Sequence, residues 1–391
     1  MDLRASLLVV ISLGSACATL DEPAPPATGA VEQHFGGGGC DEFMCGTNSP
    51  QVKELGFTDL NVPTLVGTAG APNNVGLQIL GFFTEGGGYY LPAVSRGRLI
   101  ARPTTTTPPN NVALTGAALI HGYFLLEIVG PKTRLFKIRV EEVNHVTSWA
   151  QPPSVSVPAP MPGLPQLLVT LETYKLNYGE IINGLAGDLE NVCNHPGGRD
   201  DMGMTGPLSY HVLLFEGDRI DPNGKTDLGV EANWFTLGCA GSALAKLALT
   251  GHTEAAKHAG TFVTTIDERT TMLKMLTGDY CGHGTPFTVS GQPLQWADDH
   301  GTMAMRALLT TPPHVVVREA RWTPTGAACL DAPRVDEHWT PLGQTTFLDD
   351  GTSVYSKVKA LCPLLPPCTG SDLSTAGYHL VTGTQPLPPP P

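Results

Sequence analysis

The chain has 391 residues, 41% of them hydrophobic and only 15% charged, with 45 glycines and 35 prolines. That apolar content is enough for packed cores and excludes wholesale disorder, while the glycine and proline excess favours short strands and many turns over long surface helices. The formal net charge is −13 and no run of like charges occurs, which argues against a nucleic-acid partner.

Residues 1–18 read as an export signal. Arg4 supplies the basic start, Leu7 to Leu13 a short apolar core, and Gly14, Ser15, Ala16, Cys17 and Ala18 the small residues of a cleavage site. The uncharged run from Ala5 to Leu20 is shorter than the ~20 residues of a spanning helix. Two cuts fit. Cleavage before Cys17, the preferred scheme, resembles a bacterial lipoprotein signal, although Gly14 stands where leucine is usual, and it leaves Cys17 for lipidation. Cleavage after Ala18 uses an Ala-x-Ala pattern and releases a secreted protein. The first scheme predicts a membrane partner through an N-terminal lipid anchor, at the outer membrane or elsewhere in the cell envelope.

Residues 19–58 read as a flexible tether, Pro/Ala-rich and then glycine-rich up to Cys40. Residues 59–187 carry strand patterning. Phe136, Ile138 and Val140 alternate with Lys137 and Arg139, and Leu77–Phe83, Ala118–Ile128 and Leu167–Tyr174 read similarly. Pro152 to Pro165 is too proline-dense for regular structure and is expected as a surface loop. Residues 188–340 change texture. His211–Phe215 is a strand, Asp221 to Gly224 a turn, and Ala240–Leu249 a helix ended by Gly251. Asp267–Thr277 is a second helix, with Asp267 as its cap and Gly278 in the left-handed position after it. Strands are expected from Phe287 and over Val315–Trp322, and residues 341–391 as a loop-rich, Pro-rich tail. The fold class is therefore α+β, mainly β: a sandwich- or barrel-like N-terminal half followed by a disulfide-stapled α+β domain.

Either cut leaves eight cysteines for bridging: Cys40, Cys45, Cys193, Cys239, Cys281, Cys329, Cys362 and Cys368. An even count in an exported chain reads as a disulfide framework. Cys40/Cys45 and Cys362/Cys368 are spaced to close local loops. The other four have three pairings, of which Cys193–Cys239 with Cys281–Cys329 is preferred.

Asp279, Tyr280, Cys281 and His283 are crowded into five residues, which raises the possibility of a thiolate nucleophile with its base and orienting acid. The opposing reading, a structural disulfide at Cys281, is favoured by the export signal and the cysteine parity. No metal and no cofactor are expected. Cys193/His195 and Cys281/His283 are Cys-x-His pairs, but their cysteines are expected to be oxidised. Asp221 to Gly224 falls out of register with a calcium loop. His252 and His258, with Glu254 between them, read as solvated, and Asp298, Asp299 and His300 as a solvated loop. Gly-x-Ser-x-Gly and His-Glu-x-x-His patterns do not occur, nor does a phosphate-cradling Gly-x-x-x-x-Gly-Lys-Ser/Thr loop.

The block Leu276-Thr-Gly-Asp-Tyr-Cys-Gly-His-Gly284 resembles the Ala-Asp-Tyr-Cys signature of the ADYC-domain family, with Gly278 in place of the alanine. Trp234–Lys246, Phe287–Leu294 and Glu319–Arg334 resemble further family blocks in the same order, covering about 190 to 335. Many members carry two more cysteines where Leu247 and Met272 stand here. The resemblance implies an exported bacterial protein of myxobacterial type and brings no activity with it. The expectation is a non-enzymatic cell-envelope lipoprotein, structural or binding, with a glycan or envelope protein as partner. The alternative is an extracytoplasmic hydrolase with a site near Asp279, Cys281 and His283.

Overall fold

A computed structural model of the chain describes residues 50–107, 110–130, 133–150, 170–193, 210–259, 263–287, 294–300, 317–331, 360–370 and 377–384. The expected export signal with Cys17, the expected Cys40/Cys45 pair and the Pro152 to Pro165 segment lie outside them, as does nearly all of the strand expected from Phe287.

A small hairpin, β1 (Gln51–Val52) with β2 (Leu55–Gly56), precedes the main sheet. That sheet comprises β3 (Asp59–Asn61), β4 (Leu77–Phe83), β5 (Tyr89–Ser95), β6 (Arg98–Pro103), β7 (Leu114–Thr115), β8 (Tyr123–Ile128), β9 (Arg134–Thr147), β10 (Thr170–Ile182), β11 (Leu185–Ala186), β12 (Glu190–Asn191), β13 (His211–Asp221) and β14 (Thr226–Cys239). Its order is β3-β14-β13-β10-β9-β8-β4-β5-β6-β7, with β11 and β12 pairing on β10. Helices α1 (Ala243–Leu249) and α2 (Ile266–Thr277) follow. A second sheet of β15 (Leu294–Asp298), β16 (Val317–Thr323), β17 (Gly326–Leu330) and β18 (Leu380–Thr384) has the order β15-β18-β16-β17. The fold is α+β and mainly β, as the sequence indicates.

Two-residue periodicity builds the first core. Phe136, Ile138 and Val140 of β9 are buried, and Tyr174, Leu176 and Tyr178 of β10 lie beside them in the antiparallel ladder. The sheet then curls. Arg96 and Gly97, with φ of 54° and 70°, form the two-residue turn that positive φ permits between β5 and β6. Their N–H groups donate to the Glu216 carboxylate on β13, and the Leu99 N–H donates to the Tyr174 hydroxyl at 2.8 Å. These bonds fold the β5–β6 hairpin back over β10 and β13, giving a barrel-like wrap.

β13 joins this barrel to the second core. Val212 and Leu214 point into the first, while Leu213 and Phe215 point into a cluster with α1, α2, Tyr280 and Trp322. Side chains of successive residues face opposite sides of a strand, so the apolar run His211–Phe215 is one strand buried on both faces. The division expected after residue 187 therefore cuts across a continuous sheet, because β13 and β14 extend it through β10.

Two local expectations change. The cap of α2 is Thr265, not Asp267: its hydroxyl accepts the Glu268 N–H while the Glu268 side chain accepts the Thr265 N–H. The C-terminal region is not only a loop-rich tail, since β18 lies between β15 and β16 with Leu380, Val381 and Thr382 fully buried. Five residues ending in Gly-Thr carry too short a pattern to signal a strand. Partners far earlier in the chain make it one. Among the described residues no helix is long and apolar enough to cross a membrane.

Candidate functional site

The Asp-Tyr-Cys block is a corner where four segments meet. Helix α2 ends at Gly278, whose φ of 67° places it in the left-handed region with its N–H donating back to Lys274 O and Met275 O. Asp279 follows, fully buried. Its Oδ2 accepts from Lys274 Nζ at 2.7 Å and from the Gly284 N–H at 2.8 Å. Lys274 Nζ also donates to Gly224 O and Gly282 O, which ties α2 to the β13–β14 turn. Tyr280 stacks on Trp322 with centroids 5.3 Å apart and donates its hydroxyl to Glu319 Oε1. The backbone is equally tight. A Cβ on Gly284, at φ 84°, would lie 1.8 Å from Asn223 O, and one on Gly282 2.0 Å from Thr325 O.

Cys281 is bonded to Cys362, and His283 is exposed. The structure thus separates the three nucleophile candidates: the sulfur is in a disulfide, the Asp279 carboxylate is sealed in an ion pair, and the imidazole is at the surface.

Cys193–Cys239 pairs as expected. The other two assignments are overturned. Cys329 joins Cys368, so neither Cys281–Cys329 nor the local Cys362–Cys368 loop exists. The reason is the path of residues 360–370, which run along β17. Leu330 N–H donates to Pro366 O, and the Cys368 N–H donates to Asp331 Oδ1 at 2.7 Å. That path presents the two cysteines to different partners, and parity alone could not reveal it.

A second buried network lies where β13, β14 and α2 meet. Arg269, 2% exposed, binds Asp227 through Nε and sits 3.2 Å from Asp218 Oδ1. Burial, with the Asp227 charge beside it, pushes the Asp218 carboxyl up to about 8. Burial likewise lowers the Lys225 ammonium to about 8.

Sequence reasoning missed a third group. Glu268 in the first turn of α2, Asp299 and His300 just after β15, and His379 just before β18 bring donor atoms within 4.8 Å of one another. Asp299 and His300 were expected in a solvated loop, and the structure places them against α2 instead. His252, expected to be solvated, is fully buried beside His379, and burial holds it neutral. The His258 side chain lies outside the described residues. No local signal marks Glu268 or His379, because strand pairing alone brings residues 299 and 379 together.

An open groove of about 410 Å³ lies between the β5–β6 hairpin and β14, lined in part by Leu91, Pro92, Arg102, Glu216, Glu231 and Trp234. The Arg219 guanidinium lies 3.8 Å from the Trp234 ring centroid and fixes it.

The ADYC-domain model matches residues 138–336, just over half of the chain, and so takes in the corner around Asp279, nearly all of the second core and part of the first. The chain belongs to the ADYC-domain family. The match begins near the middle of β9 rather than at about 190. The sheet explains this, since β13 of the ADYC domain pairs with β10, which in turn pairs with β9. No curated protein and no solved structure matches the chain. Three disulfides among the described residues point to an oxidising, extracytoplasmic environment.

Proposed function

We propose that this ADYC-domain protein is a non-enzymatic binding protein of the cell envelope, held at the membrane by a lipid on Cys17. The observation that carries this reading is the use of the motif itself. Asp279 is fully buried with its Oδ2 in an ion pair, the Tyr280 hydroxyl is in a hydrogen bond and the Cys281 sulfur is in a disulfide, so the corner presents no free thiolate. The hydrolase alternative needs a thiolate at Cys281. Thiol titration of the unfolded, unreduced mature chain is expected to find Cys281 blocked, and a reactive Cys281 thiol would sink the proposal.

The binding surface in this reading is the groove beside Trp234. Its volume of about 410 Å³ lies in the range of ligand pockets, and it combines apolar walls with a few charged groups. Arg102 is exposed there, so its planar guanidinium is available for paired hydroxyl or carboxylate oxygens. Apolar walls with a planar cation and carboxylates suit a glycan, whose ring faces are apolar and whose edges are polar. An envelope protein is the other partner class.

A further inference from the structure

The histidine–carboxylate cluster is built like a metal site. Its donors come from three segments far apart in sequence, the first turn of α2, the end of β15 and the start of β18. His379 Nδ1 lies 2.5 Å from Asp299 Oδ1 and 3.7 Å from Glu268 Oε1. His300 Nε2 lies 3.1 Å from Glu268 Oε1 and 4.0 Å from Asp299 Oδ1. Four donors tetrahedrally arranged at bonds of ~2.0–2.1 Å are ~3.3 Å apart, so these separations bracket the required edge.

Three of the four ligands are also held from behind. Glu268 Oε2 accepts the Thr265 N–H of the capping box at 2.6 Å, which turns Oε1 toward both histidines. The Asp299 N–H donates to His379 O at 3.1 Å, continuing the β15–β18 ladder and locking those two ligands in register. On the far side of the His379 ring, Nε2 meets His252 Nε2 at 3.1 Å, and His252 Nδ1 meets Thr250 O at 3.2 Å. His252 Nδ1 lies equally near the Thr250 hydroxyl, at 3.2 Å. An outer partner behind a ligating histidine is a recurrent feature of metal centres. Here two carboxylates and two imidazoles converge on one point, a donor set that suits a cation.

We propose that Glu268, Asp299, His300 and His379 bind a divalent transition-metal ion of the zinc class. Two imidazole nitrogens and two carboxylate oxygens suit such an ion, and the two carboxylates balance its charge. Calcium fits poorly, since it takes six to eight oxygens. Asp299, about half exposed, leaves a route for entry. The ion bridges α2 to β15 and β18, so it staples the C-terminal strand to the ADYC domain alongside the bridges at Cys362 and Cys368.

The test uses the mature chain, stripped with a chelator and titrated with zinc chloride by calorimetry and native mass spectrometry. One zinc ion per chain and a raised melting midpoint are expected. Glu268→Gln retains the capping bond but loses the charge, and His379→Ala removes one ligand. Each should weaken zinc binding at least tenfold, while His145→Ala, an exposed histidine on β9, should leave it unchanged. Should His379→Ala fail to fold, Glu268→Gln with an unaltered apo melting curve carries the comparison. Failure to bind zinc, wild-type affinity in Glu268→Gln, or tighter binding of calcium than of zinc would each overturn the proposal.

Discussion

Replacing Asp279 by asparagine tests whether the family motif is a structural knot. In the native corner Asp279 is fully buried and Lys274 is 1% exposed, so solvent screens neither charge. At 2.7 Å and an effective dielectric of ~20 the pair attracts by about 6 kcal/mol, an amount that the desolvation of both ions largely offsets. Removing one partner is different, because the surviving charge keeps its desolvation cost; such changes cost about 3–5 kcal/mol. Two features hold Asp279→Asn near the low end. Lys274 keeps Gly224 O and Gly282 O as acceptors, and an asparagine oxygen can still accept the Gly284 N–H. Lys274→Met strands the carboxylate instead and belongs at the high end. The double variant, with neither charge, is expected to be less destabilised than the sum of the singles. Guanidinium unfolding at neutral pH measures all three, with Trp322, stacked on Tyr280, as a fluorescent reporter in the corner. Asp279→Asn within about 1 kcal/mol of the parent, or a strictly additive cycle, would refute the reasoning.

Removing the Cys281–Cys362 bridge with paired alanines opens a loop with a sequence separation of 81, for which chain entropy gives a loss of about 4.5 kcal/mol. The same unfolding assay checks it, and a change below about 1 kcal/mol would mean that the hydrogen bonds of residues 360–370 along β17 suffice without the bridge. The second prediction concerns pH. The Asp218 carboxyl, raised from 3.8 to about 8, binds its proton more tightly in the folded chain than in the unfolded one. Its contribution is therefore fully present below pH 3.8 and is lost as pH rises through about 8. Melting curves from pH 5 to 8 should show the parent losing stability relative to Asp218→Asn. Parallel pH profiles would contradict the assignment.

Local pattern made much of this legible. Alternation in β9, the helix-stop glycine at 278 and the turn at Asp221 to Gly224 need only neighbouring residues, and all three appear where the sequence puts them. The motif block likewise marks the family without reference to the fold. The capping residue of α2 is not legible in this way, because Thr265 and Asp267 are both good caps and only the reciprocal bond with Glu268 selects between them.

What the sequence by itself determined is the class of the protein: a mainly β, cysteine-bridged chain of the ADYC type, written in period, composition and motif. Tertiary structure alone decided which cysteines meet, that β18 is an interior strand, and that Glu268, Asp299, His300 and His379 converge. The physical reason is the range of the interactions. Periodicity and caps act over a few residues, whereas disulfide partners and converging ligands are set by which strands pair across tens of residues. Cys281 and Cys362, 81 apart in sequence, have Cα atoms 5.4 Å apart. Nothing near either cysteine in the chain encodes that closeness; the path of residues 360–370 along β17 does.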